Sequence, residues 1–501
     1  MGSPCRNTGE PTPIKSKLAG DTEMAARLWK TRSSKPAAAA PQVPSPDLPK
    51  PLKTAVSVIV PVFNAMPYLT ELLNSLEAQD LDHEEFEVIA VDDGSSDFGG
   101  EILDVYAKRN PNFRVVHQEN SGWAGKPRNV GIAESTGEYV FFCDADDRLG
   151  PEALKRMVSY ARKHRVDVLV PKMVGIGGRR VQASLFRETV KDVPMETILR
   201  TLSPQKMIRR SLLIDNGITF REEKVRLEDG MAMVQCYMVS TRTSILADYD
   251  YYEIRTRHDG QNISENVIEP TGYVASLHHI AGTVRQGIND RIEAEKLNLG
   301  LFVRKGLRFY EGERFLGFTP EARAQWIAAH RNFLAEFVPE VHDGTLHPGH
   351  HEKTRLIRRG DIGELTRLAE AEMARKGLPL LKDLSMDALR ISFELGLDAS
   401  AATGAVFEIT DRARTQRLQA ELSPGPGGEG NYCASMELVK ITALGEGLLD
   451  CSVQVHHPQT EAKPRRIVVG VVQLPKEPVH GILPYSTKYG NLSLDMRPRA
   501  V

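Results

Sequence analysis

The sequence predicts an α/β fold, a Rossmann-like mixed sheet flanked by helices, followed by a helical region and a C-terminal antiparallel β domain. Short apolar runs alternate with amphipathic stretches from Ala55 onward. Apolar residues then recur at three- and four-residue intervals over roughly 270–376, and the tail alternates apolar with polar residues. A chain of 501 residues exceeds the usual size of one hydrophobic core, so two or three domains are expected.

Four segments follow from these changes in pattern. We expect a disordered leader over 1–52, the α/β domain over 53–268, a helical linker region over 269–377 and a β-rich accessory domain over 378–501. The leader is rich in Pro, Ala, Ser and Lys and has almost no apolar periodicity, which is typical of an extended disordered chain.

The α/β domain is predicted from buried apolar runs and amphipathic stretches that alternate along the chain. The predicted strands are 56–60, 87–91, 115–116, 139–143 and 166–170, and the predicted helices are 67–79, 99–109 and 151–164.

The tail has the two-residue period of strands with one buried face. Two runs alternate strictly, and Ile467–Leu474 adds a strongly β-prone run. The alternating residues are Leu389, Ile391, Phe393, Leu395 and Leu397 in the first run, and Leu449, Cys451, Val453 and Val455 in the second. A small antiparallel β domain is the prediction.

Composition limits the partners and the compartment. A formal net charge of -2 gives no general attraction to nucleic acid, so none is expected as a partner. The five cysteines are scattered, which favours a reducing, cytoplasmic setting over a disulfide framework. Without a secretory signal or an apolar run of about 20 residues, the chain is expected to be at most peripheral at the inner face of the membrane.

Polar residues follow three predicted strands, where ligands of open parallel sheets bind. They are Pro61–Asn64, Asp92–Ser95 and Asp144–Asp147. The third turn holds three carboxylates in four residues, and their mutual repulsion favours a hard cation, Mn²⁺ or Mg²⁺, that would bridge a diphosphate. The alternative is a solvated acidic turn that caps the helix beginning at Pro151.

Two further segments leave alternatives open. A carboxylate of the Asp92–Ser95 turn can accept a hydrogen bond from a nucleobase N–H, or the turn is ordinary and Ser95 or Ser96 caps the next helix. Arg128, near a helix start in a glycine-containing loop, suits a nucleotide phosphate or base, the alternative being a solvated arginine.

The segments "VSVIVPVFN", "VDDGSSD", "NSGWAGKPRNVGI", "GEYVFFCDADD" and "RLEDG" occur in this order and resemble family 2 glycosyltransferases of the GT-A fold. The segments "PKMVGIGGRRVQASLFRET", "TLSPQKMIRRSLL" and "YYEIRTRHDGQNIS" resemble wall teichoic acid β-N-acetylglucosaminyltransferases that act on poly(ribitol phosphate). The resemblance is good over 55–264 and weaker beyond.

The resemblance implies a role for nine residues. Pro61 and Asp93 would hold uridine, and Asn120 and Arg128 match further donor-binding positions. The DXD motif would contact the sugar nucleotide, and its Asp146 would be the metal ligand. Arg257 would close over the diphosphate or the acceptor. Asp229 matches the general base. The DXD motif consists of Asp144, Ala145 and Asp146.

Inverting transfer needs a carboxylate that accepts the proton of the attacking hydroxyl, and Asp229 has the chemistry for this. Taken alone, Glu228 and Asp229 are more often a helix cap or a solvated pair. The sequence departs from the family pattern at Trp123, where a small residue is usual, at Gly230, and at His258–Asp259.

The resemblance implies transfer of a sugar, N-acetylglucosamine, from a UDP-sugar to a hydroxyl of a polyol-phosphate or related cell-envelope glycopolymer, or of a lipid-linked acceptor. Self-association through the C-terminal region is also implied. Two other functions stay open: a sugar-phosphate nucleotidyltransferase, although no glycine- and arginine-rich loop follows the first strand, and a non-catalytic polymer-binding scaffold.

Overall fold

A computed structural model describes residues 54–257, 268–375, 378–397, 404–426, 428, 430–456, 463–470, 472–487 and 490–498. The predicted disordered leader and the His258–Asp259 departure lie outside these residues. Residues from Pro51 to Val501 form one compact unit, and the bounds of the predicted domains stay predictions.

A seven-stranded mixed sheet forms the centre of the N-terminal part, as the apolar runs predict. Its order is β3-β2-β1-β4-β8-β6-β9, and only β8 runs antiparallel to its neighbours. A three-stranded sheet, β5-β10-β7, lies beside it. The strands are Val56–Val62 (β1), Phe86–Asp92 (β2), Phe113–His117 (β3), Tyr139–Phe142 (β4), Arg148–Leu149 (β5), Val168–Pro171 (β6), Met173–Ile176 (β7), Met207–Arg209 (β8), Thr243–Leu246 (β9) and Tyr252–Arg255 (β10).

Helices cover both faces of this sheet because each presents one apolar stripe. In the first helix Leu69, Leu72, Leu73 and Leu76 are all buried, at the three- and four-residue spacing of one helical face. The helices are Tyr68–Glu77 (α1), Gly99–Arg109 (α2), Gly125–Glu134 (α3), Ala153–His164 (α4), Met195–Ile198 (α5), Arg210–Asp215 (α6) and Glu228–Val239 (α7). The predicted helices and strands of this part are confirmed, with ends that differ by a few residues.

The linker region is helical, as its periodicity predicts, and packs on α7 through its first helix. Its core continues the one beneath the mixed sheet, with Tyr237, Leu277, Phe302 and Phe333 in a single apolar cluster. The helices are Pro270–Gly287 (α8), Arg291–Lys305 (α9), Gly312–Leu316 (α10), Pro320–Phe337 (α11), Pro348–Arg359 (α12) and Ile362–Arg375 (α13). This continuity brings linker side chains to the edge of the α/β domain.

His330 lies in the middle of the linker core, stacked on Trp326, and its Nδ1 is 2.9 Å from the hydroxyl oxygen of Tyr310. Burial lowers the pKa of His330 from 6.5 to about 3. Because the native pKa lies below the unfolded one, the neutral ring stabilises the fold above about pH 6.5, and this stability is lost as the pH falls toward 3. We expect the melting temperature to drop over this acid range.

The matched variants are His330→Gln, which cannot titrate, and His351→Gln, which changes an exposed histidine. Melting curves at intervals from pH 7 to pH 4 should show a flatter pH dependence for His330→Gln only. Equal slopes for all three proteins would contradict the assignment.

The C-terminal part contains a five-stranded and a six-stranded sheet that face each other across one apolar core. Both alternating runs form strands, and Ile391, Phe393, Cys451 and Val453 point into that core. The strands are Leu380–Met386 (β11), Arg390–Gly396 (β12), Gly404–Asp411 (β13), Arg417–Glu421 (β14), Ser423–Pro424 (β15), Asn431–Glu437 (β16), Leu448–His456 (β17), Arg465–Arg466 (β18), Val468–Val469 (β19), Leu483–Ser486 (β20) and Leu492–Asp495 (β21), with a helix at Leu438–Thr442 (α14).

Two details differ from the sequence prediction. The β-prone run Ile467–Leu474 forms only the two-residue strand β19 within the described residues. Its two residues pair with Leu380 and Leu381 of β11, and the register of β11 shifts directly after Leu381. That pair is parallel, whereas the remaining pairs of the two sheets that the structure describes are antiparallel. Among the described helices, none has the length and apolar character required to cross a bilayer.

Candidate active site

A cavity of about 750 Å³ opens at the carboxyl ends of β1, β2 and β4. This volume lies within the usual range for sites of small molecules and cofactors. All nine residues singled out in the sequence line it: Pro61, Asp93, Asn120, Arg128, Asp144, Ala145, Asp146, Asp229 and Arg257. The fold therefore brings them into one cleft, while the role of each residue stays a prediction.

Asp93 joins two loops at one end of the cavity. Its carboxylate accepts hydrogen bonds from the backbone N–H of Ser121 at 3.0 Å and from the Ser121 hydroxyl at 2.9 Å, and its side chain is buried. Asn120 donates to the Asp93 carbonyl at 2.9 Å. Neither serine of this turn caps α2, whose N-cap is Phe98. The turn thus has a structural role that does not depend on helix capping.

The three carboxylates after β4 lie in three different environments. Asp147 is structural, because it accepts hydrogen bonds from the Tyr252 hydroxyl and from the Arg255 backbone N–H, both at 2.7 Å. Asp144 accepts from Arg128 at 3.1 Å and from Gln205 at 2.6 Å. No other residue that the structure describes donates a hydrogen bond to the Asp146 carboxylate.

Burial and the neighbouring Asp144 raise the pKa of Asp146 to about 6, although Arg257 lowers it. The acidic turn does not cap α4, because the N-cap residue of this helix is Glu152, whose side chain makes no capping hydrogen bond. The turn is therefore not a helix cap, and Asp146 is the one of its three aspartates whose carboxylate no other described residue contacts as a donor.

The acidic turn can supply one carboxylate to a divalent cation. The described residues contain no group of three His, Cys, Asp or Glu side chains that could hold an ion by themselves. Mg²⁺ commonly uses one or two carboxylates and completes its shell with water and substrate phosphates. Asp146 can supply such a single carboxylate, whereas the oxygens of Asp144 and Asp147 are engaged elsewhere.

The proposed base lies across the cavity at the start of α7. Asp229 accepts a hydrogen bond from Arg128 at 2.7 Å, and its side chain is 28% exposed. Burial raises the pKa of Asp229, while Arg128 lowers it. Asp229 does not cap α7, whose N-cap is Leu227, and its carboxylate is paired with Arg128, so it is neither a helix cap nor part of an unpaired solvated acidic pair.

Sequence reasoning missed several residues of the cavity. Glu228 lines it beside Asp229, and burial raises the pKa of Glu228 to about 8. Lys305 and Arg308 also line it, although they belong to the linker region. The only sequence signal for Glu228 was its place in "RLEDG", and nothing in the sequence connected the two linker cations with the acidic turns.

Residues 57–227 match glycosyl transferase family 2, and residues 270–369 match the glycosyl transferase TarS linker domain. The chain is 36% identical over 352 residues to the poly(ribitol-phosphate) beta-N-acetylglucosaminyltransferase TarS of Staphylococcus aureus, covering 68% of this chain and 59% of TarS. It is 34% identical over 325 residues to the poly(ribitol-phosphate) beta-glucosyltransferase of Bacillus spizizenii, covering 63% and 50%. The chain thus spans between half and three fifths of these relatives.

Solved structures agree with the sequence matches. The crystal structure of S. aureus TarS has a TM-score of 0.56 at 28% identity and covers 88% of this chain and 85% of that chain. TarS 1-349 in complex with UDP-GlcNAc has a TM-score of 0.58 at 33% identity, covering 68% and 96%. The predicted GT-A fold with its linker and β domain is confirmed. By sequence and by structure, the chain belongs to glycosyl transferase family 2.

Proposed function

We propose that the protein is an inverting glycosyltransferase that moves a sugar, N-acetylglucosamine, from its UDP form to a hydroxyl of a polyol-phosphate polymer. The observation that carries the proposal is that one cavity is lined by two different carboxylates: Asp146, to which no other described residue donates, and Asp229, which is held by an arginine. The names of the relatives, which act on poly(ribitol phosphate), support the acceptor class.

The donor half of the cavity would hold the sugar nucleotide. Pro61, Asp93 and Asn120 line the end that would hold uridine, and Arg257 reaches over from the segment after β10 to donate to the Asn64 carbonyl at 3.0 Å. Asp146 would hold Mn²⁺ or Mg²⁺, which when bound would neutralise the charge that develops on the departing diphosphate. The requirement for a cation is part of the proposal.

The transfer itself would be a single displacement. Asp229 accepts the proton of the acceptor hydroxyl while the oxygen forms a bond to C1 of the sugar. The bond from C1 to the β-phosphate oxygen breaks on the opposite face, and UDP leaves with the electron pair. The products are the glycosylated polymer and UDP, the configuration at C1 is inverted, and no covalent enzyme intermediate forms.

The direct test measures UDP release from UDP-GlcNAc and from UDP-glucose, with Mn²⁺ and poly(ribitol phosphate). We expect release that depends on the polymer, with sugar incorporated into it. Absence of release from any UDP-sugar would contradict the proposal and favour a scaffold. Pyrophosphate release from UTP and a sugar phosphate would instead identify a nucleotidyltransferase.

Two cations on the linker side of the cavity support a polyanionic acceptor. Lys305 and Arg308 form no ion pair with any residue that the structure describes, and burial together with Arg308 lowers the pKa of Lys305 to about 8. Lys305 lies near the proposed base, since its charge lowers the pKa of Asp229. An anion bound there would offset the repulsion between Lys305 and Arg308, and a phosphodiester beside the reacting hydroxyl has the required charge.

We expect Lys305→Ala and Arg308→Ala each to raise the KM for polymer by roughly tenfold, because a lost charge-assisted hydrogen bond corresponds to about 1.5–3 kcal/mol. The KM for the UDP-sugar should change little. Lys296→Ala alters an exposed lysine of the same helix, α9, and provides the matched control. Initial rates at varied polymer concentration check this, and an unchanged polymer KM in both variants would exclude the acceptor role.

Partners and location are also proposals. We infer that the donor is drawn from the cytoplasm, that the acceptor is a cell-envelope glycopolymer or a lipid-linked precursor at the inner face of the membrane, and that the C-terminal β domain supports self-association. Light scattering of the full chain, compared with a chain ending near residue 377, tests the last point. The same number of chains per particle in the full and the shortened protein would contradict self-association through the β domain.

A further inference from the structure

Arg128 lies between the two acidic groups that the proposed reaction needs. Its guanidinium donates to Asp229 Oδ1 at 2.7 Å through one terminal nitrogen and to Asp144 Oδ1 at 3.1 Å through the other. The arginine side chain is only 5% exposed, and its Nε has no hydrogen-bond partner within the described part of the chain. The ring of Phe220 lies 5.3 Å from the guanidinium carbon. The guanidinium therefore contacts a carboxylate with each terminal nitrogen and is covered by an aromatic ring.

Asp144 differs from Asp146 in what its carboxylate does. The Oδ1 atom of Asp144 accepts from Arg128, and the Oδ2 atom accepts from the buried Gln205 at 2.6 Å. Both oxygens are thus engaged by protein donors, whereas Asp146 has none among the residues described. Both acidic residues of the motif line the cavity, and the first of them also holds the arginine.

The backbone that carries Arg128 is held firmly. A Cβ on Gly125 would lie 1.9 Å from the Arg221 carbonyl oxygen, and a Cβ on Gly131 would lie 2.3 Å from Ile59, so α3 packs too closely at both points for a side chain. Asn129 also exchanges two hydrogen bonds with the Phe220 backbone, at 2.9 and 2.8 Å. Because α3 cannot shift easily, Arg128 has one well-defined location.

We propose that Arg128 is a positioning residue: anchored by Asp144 and Gln205, it holds the Asp229 carboxylate in the orientation that accepts the proton of the attacking hydroxyl. The inference rests on the proposed function. It assigns Asp144 an indirect role, acting through Arg128, and leaves contact with the donor diphosphate to Asp146. Arg128 contacts Oδ1 of Asp229, and Oδ2, to which no described residue donates, would accept the proton.

The test compares Arg128→Ala and Arg128→Lys in the full chain. Loss of an oriented general base lowers kcat by about 10²–10⁴-fold. We expect this loss in Arg128→Ala, with the Kd for UDP-sugar from calorimetry within about threefold of the wild type. Lys can contact only one carboxylate at a time, so Arg128→Lys should recover only part of the rate. Added guanidinium should raise kcat in Arg128→Ala and leave the wild type unchanged.

Asp144→Asn tests the anchor and stays informative if Arg128→Ala folds poorly. It should lower kcat while retaining affinity for UDP-sugar, and with Arg128→Ala its effect should be less than multiplicative. Lys126→Ala, an exposed residue of α3, should match the wild type. A tenfold loss of UDP-sugar affinity in folded Arg128→Ala or Asp144→Asn, or unchanged kcat, overturns the inference. A wild-type protein without UDP release would instead refute the proposed function.

Discussion

Replacement of Asp229 by Asn is expected to lower kcat by about 10³-fold while the affinity for UDP-sugar is retained. Asn has nearly the same shape, and its amide oxygen can still accept the hydrogen bond from Arg128 that Asp229 accepts at 2.7 Å. The amide cannot take the proton of the acceptor hydroxyl, so the loss falls on the chemical step. Single-turnover rates and donor titration by calorimetry measure the two quantities separately.

Asp215→Asn serves as the control, because Asp215 is an exposed aspartate outside the cavity. It should have wild-type kcat and donor affinity. If kcat of Asp229→Asn stayed within threefold of the wild type, Asp229 would not be the base, and the neighbouring Glu228 would become the candidate. Glu228→Gln, assayed under the same conditions, decides between the two residues.

Replacement of Asp146 by Asn should mainly weaken the binding of the UDP-sugar donor. Because no other described residue donates to the carboxylate of Asp146, its charge is the part of the turn available to a cation. We expect the Mn²⁺-dependent gain in affinity for UDP-sugar to disappear, which lowers affinity by at least about tenfold. Calorimetric titration of UDP-sugar with and without Mn²⁺ measures this without any catalytic turnover.

Glu119→Gln removes an exposed negative charge on the loop that precedes Asn120 and should leave the Mn²⁺ effect intact. The same gain from Mn²⁺ in Asp146→Asn and in the wild type would show that Asp146 does not hold the cation. An absence of any Mn²⁺ effect in the wild-type protein would argue that donor binding is independent of metal.

Local pattern was sufficient for much of the fold. The apolar runs at β1, β2 and β4 predicted buried strands because a central parallel strand is covered on both faces. The three- and four-residue spacing predicted the linker helices, since one face of each helix must be apolar. The run Ile467–Leu474 predicted a longer strand than forms, because β propensity does not reveal where the pairing of two strands is interrupted, here beside the register shift that follows Leu381 in β11.

The sequence by itself determined the α/β architecture and brought the polar turns after β1, β2 and β4 together, because strand ends of a parallel sheet converge at one edge. The resemblance to family 2 glycosyltransferases singled out the other residues that line the cavity, among them Arg128 and Asp229. Only the tertiary structure decided that Asp144, Asp146 and Asp147 have different partners, although they are chemically alike and adjacent. It also brought Lys305 from the linker toward Asp229 and placed Arg128 between two carboxylates. Charge neutralisation depends on distance in space, and residues far apart along the chain acquire that distance only on folding.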